Sequence, residues 1–179
     1  MITTMLSFIN LCLLIVIIKL TMKDKPKKRL EKEITIPDRK VSFLIAALFI
    51  NRAIEMNKPL SNLMLNRMMF LFYTKCSVYK LESLKGKLAF EAWDYGPVCP
   101  EIYWSYSPYG ATKITLRESE SYLKNVKDKF KIEALVKYIL DCYGYSSPWE
   151  VTDICKKHII YISNYEEGKK NEIDDRDFW

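Results

Sequence analysis

The chain begins with a nearly uninterrupted apolar run. Residues 2–22 contain a single charged side chain, Lys19, and a single strongly polar one, Asn10. A helix of about 20 apolar residues spans a bilayer, and Lys19 lies close enough to one end of the run to reach the headgroups. The pattern therefore predicts a transmembrane anchor over residues 1–22. A buried core helix is disfavoured, because the run is apolar on all sides and a polar linker follows it.

Two alternatives compete with a retained anchor. A cleaved signal peptide would need basic residues before the apolar run and a small-x-small cleavage site after it, and neither is present. Translation that starts at Met22 would remove the segment altogether, and the protein would then be cytoplasmic. Both starts are compatible with the rest of the chain.

The linker that follows, residues 23–40, is strongly basic. It holds eight Lys or Arg and four Asp or Glu, and together with Lys19 it accounts for five of the chain's six net positive charges. Residues 41–179 therefore carry a net charge of only +1, which argues against nucleic-acid binding by the folded domain. Basic residues beside a membrane span stay in the cytoplasm. We expect a single-pass membrane protein with a cytoplasmic domain and a linker that contacts anionic lipids.

Beyond the linker, apolar residues recur at helical spacing. Residues 41–57 predict a first helix, which ends at the Asn57-Lys58-Pro59 sequence. Ser61 is a suitable N-cap for a second helix that extends to about residue 79. One stripe of this second helix is apolar, and such a stripe indicates core packing rather than a cofactor pocket. The stripe consists of Leu65, Met68, Met69, Phe72 and Cys76.

Two further helices are predicted in the C-terminal half. Residues 127–142 form an amphipathic pattern whose apolar positions are Phe130, Ile132, Leu135, Val136, Ile139 and Leu140. Ser147 is the predicted N-cap of the next helix, with Pro148 in its first position and Glu150 as the capping-box partner.

Short strands are predicted between these helices. Residues 84–92 alternate partly and read as a strand, which Gly96-Pro97 interrupts. Pro100 suits the first turn of a short helix, and residues 112–116 are predicted to form a second strand that faces the first. The fold class is therefore α+β, predominantly helical with a small β-hairpin. The domain is expected over residues 41–165, and residues 166–179 read as a polar C-terminal tail.

Few residue combinations in the chain favour catalysis. Its one histidine, His158, has only Cys155 as a partner at a suitable spacing. Glu91, Asp94 and Glu101 do not share one face of a strand or helix. The five cysteines form no CxxC pair, so we expect no metal site, and no Gly-rich phosphate loop indicates a cofactor. The sequence disfavours an enzyme.

One stretch of the chain resembles a known family signature. Phe90-Glu91-Ala92-Trp93, then Tyr95-Gly96-Pro97-Val98, Pro100 and Tyr103 are similar to the F-x-A-W-x-Y-G-P-V-x-P-x-x-Y pattern of the SocA-like Panacea domain. Upstream, residues 65–72 resemble the family run L-x-K-L-L-Y-F, with Arg67 in place of Lys. The resemblance covers about residues 42–165. It weakens toward the C-terminus, where Thr152-Asp153 replaces a Thr-His pair and residues 159–164 lack a Pro-Trp.

The resemblance implies a protein-binding domain without enzymatic activity. Panacea proteins are antitoxins of two-gene toxin–antitoxin systems, often phage-associated, and they pair with diverse toxins. The related SocA protein is an adaptor that delivers its toxin to a bacterial protease. The implied partners are thus a cognate toxin and, for an adaptor, such a protease. No cofactor and no nucleic acid are implied.

The residues of the motif divide into two predicted classes. Packing and backbone geometry explain the structural positions Phe90, Ala92, Gly96, Pro97, Val98 and Pro100. Trp and Tyr dominate interface hot spots, and six of them fall within about seventeen residues. We predict that these contact the partner: Trp93, Tyr95, Tyr103, Trp104, Tyr106 and Tyr109. Trp104, Tyr106 and Tyr109 lie in a polar, turn-rich context and are expected to be the most exposed.

Three function classes therefore compete. An antitoxin-like interaction domain, tethered to the cytoplasmic face of the membrane, is the leading one. The alternative is a helical nucleic-acid-binding or repressor domain, which salt-dependent DNA binding would reveal. An enzyme is the third.

Overall fold

The structure is a computed structural model, and it describes residues 41–118 and 128–179. These residues form six α-helices and one small antiparallel sheet, which confirms a predominantly helical α+β fold. The predicted anchor, residues 1–22, and the basic linker, residues 23–40, lie outside the described residues. Within the two described ranges, no helix combines the length and apolar character needed to cross a membrane.

The first two helices form the centre of the domain. Helix α1 (Val41–Glu55) ends just before Asn57, whose φ of 50° stops the helix. Helix α2 (Asn62–Cys76) begins at the predicted cap, where the Ser61 hydroxyl accepts a hydrogen bond from the Met64 backbone N–H. Nearly every side chain of α2 is buried, including all five residues of the predicted apolar stripe. An all-round buried helix is typical of the middle of a core.

The β-hairpin differs from its prediction. Strand β1 (Phe90–Trp93) starts later than predicted, because Glu82–Leu84 form a 3-10 turn. Its partner is β2 (Gly96–Val98), joined to β1 by the two residues between them. The first strand does end before Gly96-Pro97, as predicted, but these two residues begin its partner strand, which was not predicted. A two-residue connection lets the chain pair with itself at once, and Gly96 allows it through a φ of 105°.

The predicted second strand, residues 112–116, does not face the first. Lys113 instead forms an isolated bridge with Ser61, at the start of α2. The apolar residue of this segment, Ile114, is buried, and its N–H donates to the Leu60 carbonyl. The alternating pattern thus reports one buried side chain rather than a paired strand.

The remaining helices largely follow the sequence. Helix α3 (Pro100–Ser105) begins at the predicted proline, and α4 (Lys129–Tyr143) buries five of its six predicted apolar positions. The exception is Phe130, which is 85% exposed. Helix α5 (Pro148–Lys156) has the predicted capping box, and α6 (Ile159–Asn164) follows it.

The segment predicted as a C-terminal tail completes the sheet and the core. Strand β3 (Asn171–Ile173) pairs with the free edge of β1, which gives the strand order β2-β1-β3. Phe178 then folds back onto the core, with its ring centroid 4.6 Å from that of Tyr73 and 5.9 Å from those of Phe70 and Phe90. Three strand residues between polar stretches carry too little alternation to be recognised in the sequence.

We predict that Phe178→Ala destabilises the domain by about 3–5 kcal/mol, the usual cost of truncating a buried phenylalanine. Phe130→Ala is the matched control, because the Phe130 side chain lies in solvent and its loss should cost less than about 0.5 kcal/mol. Urea unfolding of the two variants measures the difference. Equal stabilities would contradict a role of the last residues in the core.

Candidate partner-binding site

A buried arginine underlies the hairpin. Arg67, on α2, is 1% exposed. Its Nη1 and Nη2 donate short hydrogen bonds to the backbone carbonyls of Pro97 and Tyr95, and its Nε donates to the Thr152 hydroxyl at 3.1 Å. The guanidinium therefore joins α2 to the hairpin and to α5. An arginine side chain can hold several acceptors at once.

Arg67 explains why a glycine stands at position 96. A β-carbon placed on Gly96 would lie 3.0 Å from Arg67 Nε and 3.1 Å from its Cζ. The positive φ of Gly96 also disfavours any side chain there. The Gly-Pro step of the motif thus provides the space and the carbonyl oxygen that the arginine requires.

Arg67 has no carboxylate partner within the described residues. Burial lowers the pKa of its guanidinium to about 10, which still leaves the group charged at neutral pH. Backbone carbonyls and a hydroxyl, rather than an acid, therefore compensate for its lost hydration. A positive charge remains beneath the hairpin.

Above this charge, three aromatic rings contact one another. The Trp93 and Tyr103 centroids are 5.0 Å apart, and Trp104 lies 5.1 Å from Tyr103 and 6.1 Å from Trp93. The Lys170 ammonium sits 4.1 Å from the centroid of the Trp93 ring. Edge-to-face contacts of this kind hold rings in fixed positions, so the cluster presents a preorganised surface.

The exposed fractions separate the predicted partner residues into two groups. Tyr95 and Trp104 are 71% and 61% exposed, and Trp93 and Tyr103 are half-buried. Tyr106, in contrast, is only 6% exposed, and Tyr109 packs against the core. The expectation that these last two would be exposed was wrong, because the turn after α3 folds back and directs both rings inward.

The predicted structural positions are placed as expected from packing. Phe90, Ala92 and Val98 are buried, and so are Gly96 and Pro97. Pro100 is half-buried in the first turn of α3. These residues support the aromatic rings from below.

A cavity of about 320 Å³ opens beside the rings. Trp93, Tyr95, Tyr103 and Trp149 contribute to its walls, and Arg67 also lines it. Trp149, on α5, is 62% exposed and was missed as a candidate in the sequence. The sequence did contain an indication: Trp149 stands next to the start of a helix, at a position that belongs to no apolar stripe. We define the aromatic patch as Trp93, Tyr95, Tyr103, Trp104 and Trp149.

The histidine and cysteine considered as a catalytic pair serve separate roles. Burial raises the pKa of the Cys155 thiol to about 12, and its Sγ lies 3.7 Å from the Arg67 carbonyl oxygen. His158 Nδ1 accepts a hydrogen bond from the Ile160 N–H and caps α6. A nucleophilic thiol needs a lowered pKa, so this geometry does not favour a Cys–His nucleophile.

The three acidic residues of the motif are also engaged separately. Glu91 accepts a hydrogen bond from Trp93 Nε1 at 2.6 Å, and Asp94 accepts one from the Gly168 N–H at 2.9 Å. Glu101 accepts a short hydrogen bond from the Ser42 hydroxyl. Each carboxylate thus fixes a different part of the fold.

No protein-family model, curated protein or solved structure matches the chain. The resemblance to the Panacea signature therefore rests on the motif residues alone.

We predict that Gly96→Ala destabilises the domain by about 2–4 kcal/mol, because backbone strain and a clash with Arg67 act together. Gly168→Ala is the control: its φ is also positive, at 70°, but nothing lies within 4 Å of the added carbon. Its free energy of unfolding should fall only by the cost of backbone strain, about 1–2 kcal/mol. Equal losses in urea unfolding would show that the contact with Arg67 carries no cost.

We also predict a pH-dependent loss of stability at His158. Burial, and to a smaller extent the Lys75 ammonium, lowers the pKa of this imidazole below its usual value of 6.5. The neutral form is therefore favoured in the folded state, so its contribution to stability is present above pH 6.5 and is lost as the pH falls through the lowered pKa. Protonation also removes the Nδ1 acceptor that caps α6.

His158→Asn keeps a cap acceptor but cannot titrate. Comparison of unfolding free energies at about pH 7.5 and about pH 5 should show a smaller drop for this variant than for the wild-type chain. An identical drop in both proteins would contradict the role assigned to the histidine.

Proposed function

We propose that this chain is an antitoxin-like interaction domain that binds and neutralises a toxin protein through the aromatic patch. The observation that carries the proposal is the patch itself. The motif that resembles the Panacea signature contributes one exposed ring, Tyr95, and two half-buried ones, Trp93 and Tyr103. The exposed rings of Trp104 and Trp149, outside the motif, complete the surface.

The physical character of the patch supports a protein partner. Trp and Tyr contribute large contact area at a low cost in side-chain entropy, and they are enriched where interfaces gain most of their energy. A monomeric domain gains nothing from leaving Trp104 and Trp149 in water. Partner binding would remove both from solvent.

The membrane part of the proposal rests on the sequence. Residues 2–22 would tether the domain to the cytoplasmic face of the membrane. A tether raises the effective concentration of the domain near a membrane-acting toxin. Neutralisation could then proceed by masking the toxin or by delivering it to a protease.

Co-expression of the full chain with each protein encoded by an adjacent gene tests this proposal. We expect one neighbour to be toxic alone, and the chain to restore growth and to co-purify with it. A second version that starts at Met22 separates binding from tethering, because only the full chain would rescue if the anchor is needed. If no neighbour is toxic and nothing co-purifies, the antitoxin proposal is wrong.

Substitutions in the patch give the structural test. Trp104→Ala and Tyr95→Ala should each weaken toxin binding by about 30-fold or more, the loss expected at a hot spot worth about 2 kcal/mol. Phe130→Ala is the control, because it also removes an exposed ring but lies on α4, which contributes no residue to the patch. Tyr95→Ala and Phe130→Ala should match the wild-type chain in stability, whereas Trp104→Ala also loses two ring contacts and should be less stable by about 0.5–1.5 kcal/mol. Unchanged toxin affinity in both patch variants would place the interface elsewhere.

A further inference from the structure

The cavity within the aromatic patch combines apolar walls with a buried charge. Trp93, Tyr95, Tyr103 and Trp149 supply aromatic surface. Among the described residues that line the cavity, Arg67 carries the only charge. A volume of about 320 Å³ is at the lower end for binding pockets. It suits one or two side chains of a partner better than a large cofactor.

Arg67 retains hydrogen-bonding capacity. A guanidinium has five N–H donors, and three of them are used, toward Pro97, Tyr95 and Thr152. Each terminal nitrogen therefore has a second N–H without an acceptor among the described residues. No carboxylate of the described residues forms an ion pair with the Arg67 guanidinium.

Two amides that line the cavity are already engaged within the protein. Asn62 Nδ2 donates to the Tyr103 carbonyl, and Asn66 Nδ2 donates to Asn62. Asn66 Oδ1 accepts from the Cys99 N–H. These two amides brace α2 against the hairpin and α3. Among the described residues of the lining, the guanidinium remains the charged group that can attract an anionic ligand.

We propose that the cavity receives an acidic side chain of the protein partner, whose carboxylate is attracted by the buried positive charge of Arg67. The inference rests on the proposed function and names the chemistry of the contact. A carboxylate in the cavity would lie beside a positive charge that no acid of the described residues neutralises. The aliphatic stem of a glutamate and its apolar neighbour would pack against the aromatic walls.

Charge compensation gives the contact its value. Arg67 is already desolvated, so a partner carboxylate would not have to remove water from an exposed arginine. The neutral amide of glutamine also has a carbonyl acceptor but carries no charge, so it would gain a weaker contact. We therefore expect discrimination between an acid and its amide.

Two short peptides test the proposal without knowledge of the toxin. The probes are acetyl-Phe-Glu-amide and acetyl-Phe-Gln-amide, titrated against the purified full-length chain. The readout is the NMR signal of each tryptophan indole N–H. Trp93 and Trp149 line the cavity, whereas Trp179 packs against Tyr73 in the core and serves as an internal control. The Glu probe should shift the first two signals, and the Gln probe should bind at least tenfold more weakly.

Variants locate the charge that the probe recognises. Ser107 lines the cavity and is exposed, so Ser107→Asp should fold normally. The added negative charge should lower the affinity for the Glu probe at least tenfold. Ser107→Asn is its matched control and should bind the probe as the wild type does. Lys170→Gln removes the ammonium group that lies over the Trp93 ring, at the rim of the cavity. It should leave the preference for Glu intact.

Three results would overturn the inference. Equal affinity for the two probes would show an apolar pocket without charge recognition. No indole shift with either probe would show that the cavity does not bind such a side chain. Loss of the Glu preference in Lys170→Gln would assign recognition to the rim rather than to Arg67. None of these depends on a toxin, so they are distinct from a failed growth rescue.

Discussion

The buried guanidinium of Arg67 is the interaction on which the rest of the site depends. It holds the carbonyls of Tyr95 and Pro97 on one side and the Thr152 hydroxyl on the other. Burying a charge costs several kcal/mol unless hydrogen bonds replace its hydration. The hairpin, α2 and α5 must therefore approach closely enough to supply these acceptors. The small size of Gly96 and the direction of the Pro97 carbonyl toward Arg67 follow from this constraint.

The same arrangement decides which aromatic rings face solvent. The hairpin is fixed from below by Arg67 and from the side by Tyr161, whose hydroxyl donates to the Trp93 carbonyl at 2.7 Å. Trp93 is therefore held at the end of the central strand, where Tyr103 and Trp104 of α3 reach it. Because its supports are buried, the surface can be rigid while its own side chains stay exposed. Rigid, exposed aromatic rings lose little freedom when a partner binds.

The core is closed by the last residues of the chain. Strand β3 covers the second edge of β1, and Phe178 joins the rings of Phe70, Tyr73 and Phe90. Burial and a short hydrogen bond to the Asp175 carboxylate raise the pKa of the Tyr73 hydroxyl, so this tyrosine acts as a neutral donor within the core. The sheet that carries the motif is thus stabilised from both edges, by Arg67 at one and by the C-terminal segment at the other.

Local patterns in the sequence were sufficient for helices α1 to α5, whereas α6 was not predicted. The caps at Ser61 and Ser147 depend on residues within a few positions, and helical spacing determines the buried face of α4. Contacts between distant residues decided the rest. The partner of β1, the inward rings of Tyr106 and Tyr109, and the role of Phe178 all depend on tertiary packing. So does the meeting of Arg67 with carbonyls about 30 residues away. A sequence pattern reports which side chains prefer burial, but only the packed chain determines which neighbours bury them.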